Sequence, residues 1–488
     1  MSKSQNVLSN FFWRLLERVG AQGVAFIISI VLARLLNPAV YGTVALVNVF
    51  MIILQVFVDS GLGNALIQKK DADDLDFSSV FYFNIVVCLF LYGAMFIAAP
   101  AIAGFYNVPE LTSVVRVMSL TLIISGVKNV QQAYVSRNLL FKKFFYATLG
   151  GTIGAAFIGI WMAWRGYGVW ALVIQNLFNG AVDTIILWLT VNWRPKWMFS
   201  FTRLKTLFSY GWKLLVSALI DTTYRELSQM IIGKLYTSEN LAFYNKGDQL
   251  PKLAVININT AIDSVLFPVM SKEQEKRDRV RAMTRRAIKV SVYVIAPIMA
   301  GLAFCAKPLI GLLLTEKWLP CVFFLRIFCF SYAFWPIHTA NLNAIKALGR
   351  SDLFLKIEII KKVVGLIAIF STMWISVEAM ALSLIFTSIS SQIINSWPNK
   401  KLLNYGYIDQ IKDILPGIFL AVAMGCCIYP IQWLGLPDIV TLCIQVPLGA
   451  VIYIAGSKLF KLESFEYLWN LIKPVLIKFF RNKNDAKK

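Results

Sequence analysis

Charged side chains recur inside stretches of sequence that are otherwise apolar, and the chemistry of the chain has to be sought there. Arg14 and Arg18 fall near one face of the first apolar run, with Glu17 one step aside and able to pair with either arginine. Lys213, Ser217, Asp221 and Arg225 recur every four residues, followed by Ser228 and accompanied by Glu226. Asn245, Gln249, Lys252, Asn259 and Asp263 form a third stripe, with Lys246 and Asp248 near its beginning. All three stripes are too polar to face lipid. Positive charge between apolar walls suits an anion, and phosphate or pyrophosphate is the natural match because the guanidinium fork complements its oxygens. A lipid-linked pyrophosphate would in addition leave its tail in the apolar medium beside the protein.

Other chemistries lack their residues. There is no Gly-rich phosphate loop ending in Lys-Ser/Thr, no nucleophile elbow and no histidine cluster, so neither ATP hydrolysis nor any other catalytic site is expected. The seven cysteines mostly sit in apolar runs without CxxC pairs and read as small core residues, so neither a metal site nor a cofactor is expected. Asp59 and Asp183 are either ion carriers or hydrogen-bonded structural carboxylates. His338, which follows the kinking Pro336, is either a proton relay or a structural residue. Arg116, Lys128 and Arg326 serve either packing or a cavity wall, whereas Lys213, Lys289, Lys361 and Lys362 lie close enough to span ends to snorkel.

The elements that carry these residues belong to a membrane. Of 488 residues 58% are hydrophobic and the mean hydropathy is +0.65, against about 45–50% apolar residues in a soluble domain. Runs long enough to cross about 30 Å of hydrocarbon recur near 11–36, 41–66, 78–103, 112–136, 144–164, 168–192, 207–235, 241–269, 286–314, 320–345, 352–374, 378–398, 413–433 and 439–457. They do not alternate as barrel strands would. The expected fold is an all-α membrane protein of about 14 transmembrane helices. The N-terminus shows no cleavable signal peptide, so the first helix is expected to stay. The longest loops, 193–206 and 271–285, are basic. Most of the 48 Lys and Arg fall on one side if both termini are cytoplasmic, so the net charge of +22 reports topology and contact with anionic lipids, not nucleic acid. The tail alternates apolar clusters with lysines, as an amphipathic helix on the inner leaflet would.

A weak repeat divides the chain. At an offset of about 200, Arg34 to Asn37 falls on Lys234 to Thr237, and at a slightly larger offset Arg137 to Phe141 falls on Arg350 to Phe354. The division expected is an N-lobe of six helices (1–192), a basic cytoplasmic linker (193–206), a C-lobe of six helices (207–403), two added helices (404–460) and a basic amphipathic tail (461–488). Duplicated lobes flanking a midplane site are a transporter signature. Gly150 and Gly154 form a GxxxG pair expected to let helices approach closely.

The segments ALIQKKD (Ala65 to Asp71), FYNKGDQLP (Phe243 to Pro251), VLFPVMS (Val265 to Ser271) and GRSDLF (Gly349 to Phe354) give a more specific indication. Together, and in this order from about residue 7 to about 460, they resemble the Wzx polysaccharide flippases, in the WzxC/TuaB branch of the MOP (MATE-like) exporter superfamily. The resemblance implies two pseudo-symmetric lobes around a cavity and alternating access. It further implies outward transfer of an undecaprenyl-pyrophosphate-linked oligosaccharide across the bacterial inner membrane, for surface or exopolysaccharide synthesis. An aromatic-Asn-basic segment common in the family corresponds to Tyr244-Asn245-Lys246. Where drug-exporting MATE relatives place a coupling carboxylate, this chain has Glu17 between arginines, which departs from a sodium or proton site of that type. The expected substrate-binding cations are therefore Arg14, Arg18, Arg225, Lys246 and Lys252. Glu17, Asp59, Asp221, Asn245, Gln249 and Asp263 are the expected supporting or coupling groups. The expected partners are the lipid-linked oligosaccharide, anionic lipids at the basic loops, and the polymerase and glycosyltransferases of the same pathway, with the protein itself a monomer. The alternative reading is a cation-coupled MATE-type exporter of small molecules.

Overall fold

A bilayer leaves the backbone no water to bond to, so each apolar run has to close its own hydrogen bonds as a helix. In the computed structural model, which describes residues 20–59, 61–470 and 473–474, helices and turns account for the ordered elements and no strand occurs among the described residues. The described part of α1 is Gly20–Leu35. It is followed by α2 (Pro38–Asp59), α3 (Leu62–Gln68), α4 (Asp74–Tyr106), α5 (Leu111–Met118), α6 (Leu120–Arg137), α7 (Phe141–Trp164), α8 (Val169–Thr190), α9 (Phe201–Leu235) and α10 (Ser238–Lys272). Then come α11 (Arg277–Phe304), α12 (Ala306–Leu314), α13 (Cys321–Ala333), α14 (Trp335–Ala347), α15 (Ser351–Thr372), α16 (Val377–Leu403), α17 (Tyr407–Ile428), α18 (Asp438–Leu459) and a short helix α19 over 463–470.

Eleven helical stretches among the described residues are long and apolar enough to cross a membrane. Helix α9, with Lys213, Asp221, Arg225 and Glu226, and helix α15, with Lys356, Glu358, Lys361 and Lys362, have the length but carry more charge. With these two and α1, the architecture is consistent with about fourteen spans. The chain is a multi-pass membrane protein.

Several boundaries differ from the hydropathy pattern. The run 41–66 divides into α2 and α3, 112–136 divides at Ser119, and 320–345 divides at Phe334, just before Pro336. The basic loop expected at 271–285 shrinks to 273–276, because α11 begins at Arg277. Arginine and lysine are good helix formers, so a helix can run beyond the hydrocarbon into water on charged residues. Helix α9 likewise begins at Phe201, taking up the end of the linker expected at 193–206.

Two compact units result, Met1–Ala242 and Phe243–Lys488. In unit 1, α7 packs along α8, α4 along α6, and α9 against α2, α3 and α4. The GxxxG expectation holds here: a Cβ at Gly150 would lie 2.8 Å from the Ile186 side chain and one at Gly154 2.9 Å from Phe178, both on α8. What remains of the linker is an ordered strap. The amides of Lys196 and Ser200 donate to the buried Ser78 and Ser79 hydroxyls of α4 at 3.1 and 2.9 Å, and Trp193 is buried beside Phe77 and Tyr134. In unit 2, α15 packs along α16, and α11 packs along α17 in a core that includes Ile288, Val292, Ile337, Tyr405 and Met424.

Candidate functional site

Arg14, Glu17 and Arg18 lie outside the described residues, so the geometry of the embedded charges is that of α9 and α10. On α9, Arg225 is exposed and pairs with Asp221 one turn earlier at 3.3 Å, while its guanidinium also donates to the Thr222 hydroxyl at 3.4 Å. Glu226 accepts from the Gln229 amide at 2.7 Å. An exposed pair at this spacing contributes only about 0.2–1 kcal/mol, so it orients Arg225 without removing it from solution chemistry. Tyr224 and Gln229 stand within about one turn of it along the helix.

The α10 stripe is tied down more firmly. Asp248 holds two partners, the Lys252 ammonium at 3.2 Å and the Tyr332 hydroxyl of α13. The Asn343 amide of α14, itself buried, donates to Asp263 at 2.8 Å. Lys252 remains exposed, but Lys246 is only 7% exposed: its ammonium donates to the Gln249 carbonyl oxygen at 3.1 Å and lies 5.7 Å from the centre of the Trp318 ring. Asn245 is half-buried beside it. Gly247 lets α10 approach α13 here, since a Cβ on it would come within 2.8 Å of the Leu325 amide nitrogen. The Tyr244-Asn245-Lys246 segment is therefore built into the packing of α10 on α13, whereas Arg225 and Lys252 present their charges outward.

The other embedded charges each meet a nearby group of the protein. Asp59, which is exposed, accepts from Gln55 at 3.1 Å and Asn129 at 3.3 Å, while the largely covered Asp183 pairs with Lys128 at 3.1 Å. Arg116 lies over the Phe96 ring at 4.3 Å, and Arg326 donates to the Ala303 carbonyl at 3.2 Å. His338 is half-buried at its surface, with its ring nitrogen Nδ1 held 3.1 Å from the Asn395 amide. Lys289 and Lys361 meet carboxylates of Glu463 and Glu358.

The family segments also find structural roles. Arg137, at the end of α6, donates to the carbonyls of Leu66 (2.7 Å), Lys69 (2.5 Å) and Lys70 (2.6 Å), closing the end of α3 inside the ALIQKKD segment. Gly349 adopts a left-handed conformation (φ +71°) after α14, which lets Arg350 turn back onto Asp352 with two bonds of 2.9 and 2.7 Å. Sequence reasoning that followed charge missed a cluster of carboxamides in unit 2. Asn341 donates to Gln410 at 2.9 Å and accepts from it at 2.8 Å, Gln392 donates to Gln410 at 3.0 Å, and Asn399 donates to Asn341 at 2.7 Å, all fully buried. The spacing of Gln392, Asn395 and Asn399 along one face of α16 was the signal available.

With this geometry in place, comparison with known proteins is decisive. A model of the polysaccharide biosynthesis protein family matches residues 31–323, more than half of the chain. The chain belongs to the polysaccharide biosynthesis protein family. Its relatives include the teichuronic acid biosynthesis protein TuaB of Bacillus subtilis, 24% identical over 410 residues covering 82% of this chain and 84% of TuaB. The lipopolysaccharide biosynthesis protein WzxC of Escherichia coli is 20% identical over 363 residues, 74% of each chain. Among solved structures, the lipid II flippase MurJ in an inward closed conformation superposes with a TM-score of 0.72 at 15% identity, covering 94% of this chain and 99% of that one. An inward-facing multidrug transporter of the MATE family, in the MOP superfamily, gives 0.57 at 15% identity over 82% and 95%. The fold of this member of the polysaccharide biosynthesis protein family is thus the MATE-like one that the sequence resemblance implied, and it is shared with MurJ.

Proposed function

We propose that the protein is a flippase that moves an undecaprenyl-pyrophosphate-linked oligosaccharide from the inner to the outer leaflet of the bacterial cytoplasmic membrane, by alternating access and without covalent chemistry. The observation that carries this reading is a pair of exposed cations, Arg225 and Lys252, in helices long enough to span, in a member of the polysaccharide biosynthesis protein family. A cation inside a span costs about 2.5–3.5 kcal/mol on insertion scales, and a local carboxylate that leaves it exposed recovers only part of that cost. A pyrophosphate that engages each cation at some stage of the cycle supplies the rest. In this reading Lys246, Asn245, Gln249, Asp221 and Asp263 support those cations, Asp59 is structural, and Arg14, Arg18 and Glu17 extend the route. Both termini are cytoplasmic, the protein acts as a monomer, and it works beside the glycosyltransferases and polymerase that make and extend the glycan.

The test is charge removal without loss of fold. Arg225→Ala breaks an exposed ion pair and one long bond to Thr222, and Lys252→Ala breaks one ion pair of an exposed lysine, so membrane insertion and thermal stability are expected within about 1 kcal/mol of wild type. Export of surface polysaccharide, with lipid-linked precursor accumulating on the inner leaflet, is expected to fall at least tenfold. Normal export by both variants overturns the assignment. The MATE-like fold also admits a second reading, efflux of organic cations coupled to sodium or protons. The positive stripes disfavour it, and gradient-driven uptake of an organic cation into proteoliposomes would establish it.

A further inference from the structure

At the end of unit 2 where α11 begins, a cavity of about 540 Å³ opens between that helix and α19, lined by Arg281, Arg285, Arg286 and Lys289 on one side and by Glu463 and Tyr467 on the other. A smaller cavity of about 200 Å³ adjoins it across Lys289 and Glu463 and adds Lys412 and Lys461. The lining cations divide by what they already touch. Arg285 forks onto Asp413 with two bonds of 2.7 Å, and Lys289 meets both Glu463 and Asp413. The Lys289 ammonium holds the Glu463 carboxyl below its ordinary range, so that pair stays charged. These contacts fasten α19 to α11 and α17.

Arg281 and Arg286 are left for something else. Arg281 is half-buried and has no carboxylate partner among the described residues, although Asp278 lines the same cavity. Arg286 lies with its guanidinium 5.0 Å from the centre of the Tyr467 ring, an arrangement that leaves its N–H groups open at the edge. Two forks five residues apart on α11, both lining a cavity of this size, match a phosphate carrying a polar substituent. Inorganic phosphate alone would leave most of the volume empty, since ligand cavities of about 300–1,000 Å³ enclose small organic molecules.

The setting indicates the source of that phosphate. Leu462, Phe465 and Leu468 pack against the unit 2 core, while Trp469, stacked on Phe465 at 6.2 Å, is 50% exposed and Tyr467 is 38% exposed. Exposed aromatic rings on a short amphipathic helix are what anchors a segment at the headgroup level of a bilayer. Basic pockets at such a level take anionic lipid head groups.

We propose that this cavity binds the head group of an anionic phospholipid, with its phosphate between Arg281 and Arg286, and that the bound lipid fastens α19 to α11. The site is separate from the stripes of α9 and α10 and does not depend on what the protein transports. Purified full-length protein in neutral detergent would be titrated with phosphatidylglycerol, and bound lipid counted by native mass spectrometry. Wild type is expected to bind at least tenfold more tightly than Arg281→Gln/Arg286→Gln, with the Arg281→Lys/Arg286→Lys protein between them because lysine keeps the charge without the fork. Arg286→Gln alone, which removes one exposed side chain, is expected to weaken binding about threefold and serves if the double variant elutes as aggregate. Equal binding by wild type and both Gln variants overturns the site. Equal retention of phosphatidylethanolamine, or displacement by millimolar inorganic phosphate, overturns its assignment to an anionic lipid.

Discussion

Deep contacts between helices in unit 1 run through ions: Lys128 of α6 meets Asp183 of α8, and the fully buried Asp76 of α4 gathers Lys69 at 2.5 Å and Arg203 at 3.6 Å. In unit 2 the same task falls to neutral carboxamides, Asn341, Gln392, Asn399 and Gln410, which join α14, α16 and α17. The two solutions fail differently. An ion pair acts over a longer range and tolerates imperfect geometry, but a charge that loses its partner away from water is expensive. A carboxamide cluster carries no net charge, yet it works only while each donor finds its acceptor. The repeat that aligns Arg137 with Arg350 shows the same divergence. Arg137 forks onto three backbone carbonyls of a neighbouring helix end, whereas Arg350 turns onto Asp352 of its own chain segment.

The largest effect is expected in the neutral cluster. Asn341→Leu removes three buried side-chain bonds, two with Gln410 and one with Asn399, and at about 0.5–1.5 kcal/mol for each the loss is on the order of 4 kcal/mol. Denaturation in detergent would measure it. Adding Gln410→Leu should recover part of the loss, and a double variant as unstable as the sum of its parts would show that the cluster does not act as a unit. In unit 1, Lys128→Ala leaves the Asp183 carboxylate without its cation and should cost about 3 kcal/mol, with Asp183→Asn in the same chain restoring most of it. If Lys128→Ala proved neutral, the contrast between the units would be lost.

The smallest effect lies at the edge of unit 1, where the Asp73 carboxylate caps α4 by accepting from the Asp76 amide at 3.0 Å. That hydrogen bond holds the Asp73 carboxyl below its ordinary value. A group whose acidity is increased by folding stabilises the fold above the ordinary carboxylate range, and its contribution disappears as the pH falls through the folded value. Asp73→Ala is thus expected to cost about 1 kcal/mol at neutral pH, the cost of a lost N-cap, and almost nothing once the pH lies below the folded value. Melting curves of the two proteins that stay parallel across this window would contradict the capping assignment.

How far the sequence disclosed this architecture follows from which signals are one-dimensional. Span length and apolarity are local properties, so the helical membrane fold and most segments could be read directly, and ordered segments such as FYNKGDQLP pointed to the polysaccharide biosynthesis family. The breaks at Ser119 and Phe334 and the early start of α11 depend on tertiary packing and on charged residues continuing a helix, neither of which hydropathy weighs. At the candidate site, the stripe of Asn245, Gln249, Lys252 and Asp263 is legible from spacing alone. That Lys246 turns inward to Gln249 while Lys252 stays exposed is not, because both lie on one polar helix and only the position of α13 separates them. The carboxamides of α16 went unread because a neutral side chain in an apolar run carries no visible penalty until its partners are known.

Arg137 has a consequence for how the protein is made. An arginine between two spans is one of the charges that set orientation while the chain enters the membrane. In the finished protein its donors are occupied by the carbonyls of Leu66, Lys69 and Lys70. One side chain therefore acts twice in sequence, first as a signal to the insertion machinery and later as a rivet between two helix ends. Lysine could perform the first task but lacks the planar fork for the second, so an Arg-to-Lys change there would separate biogenesis from the durability of the folded state.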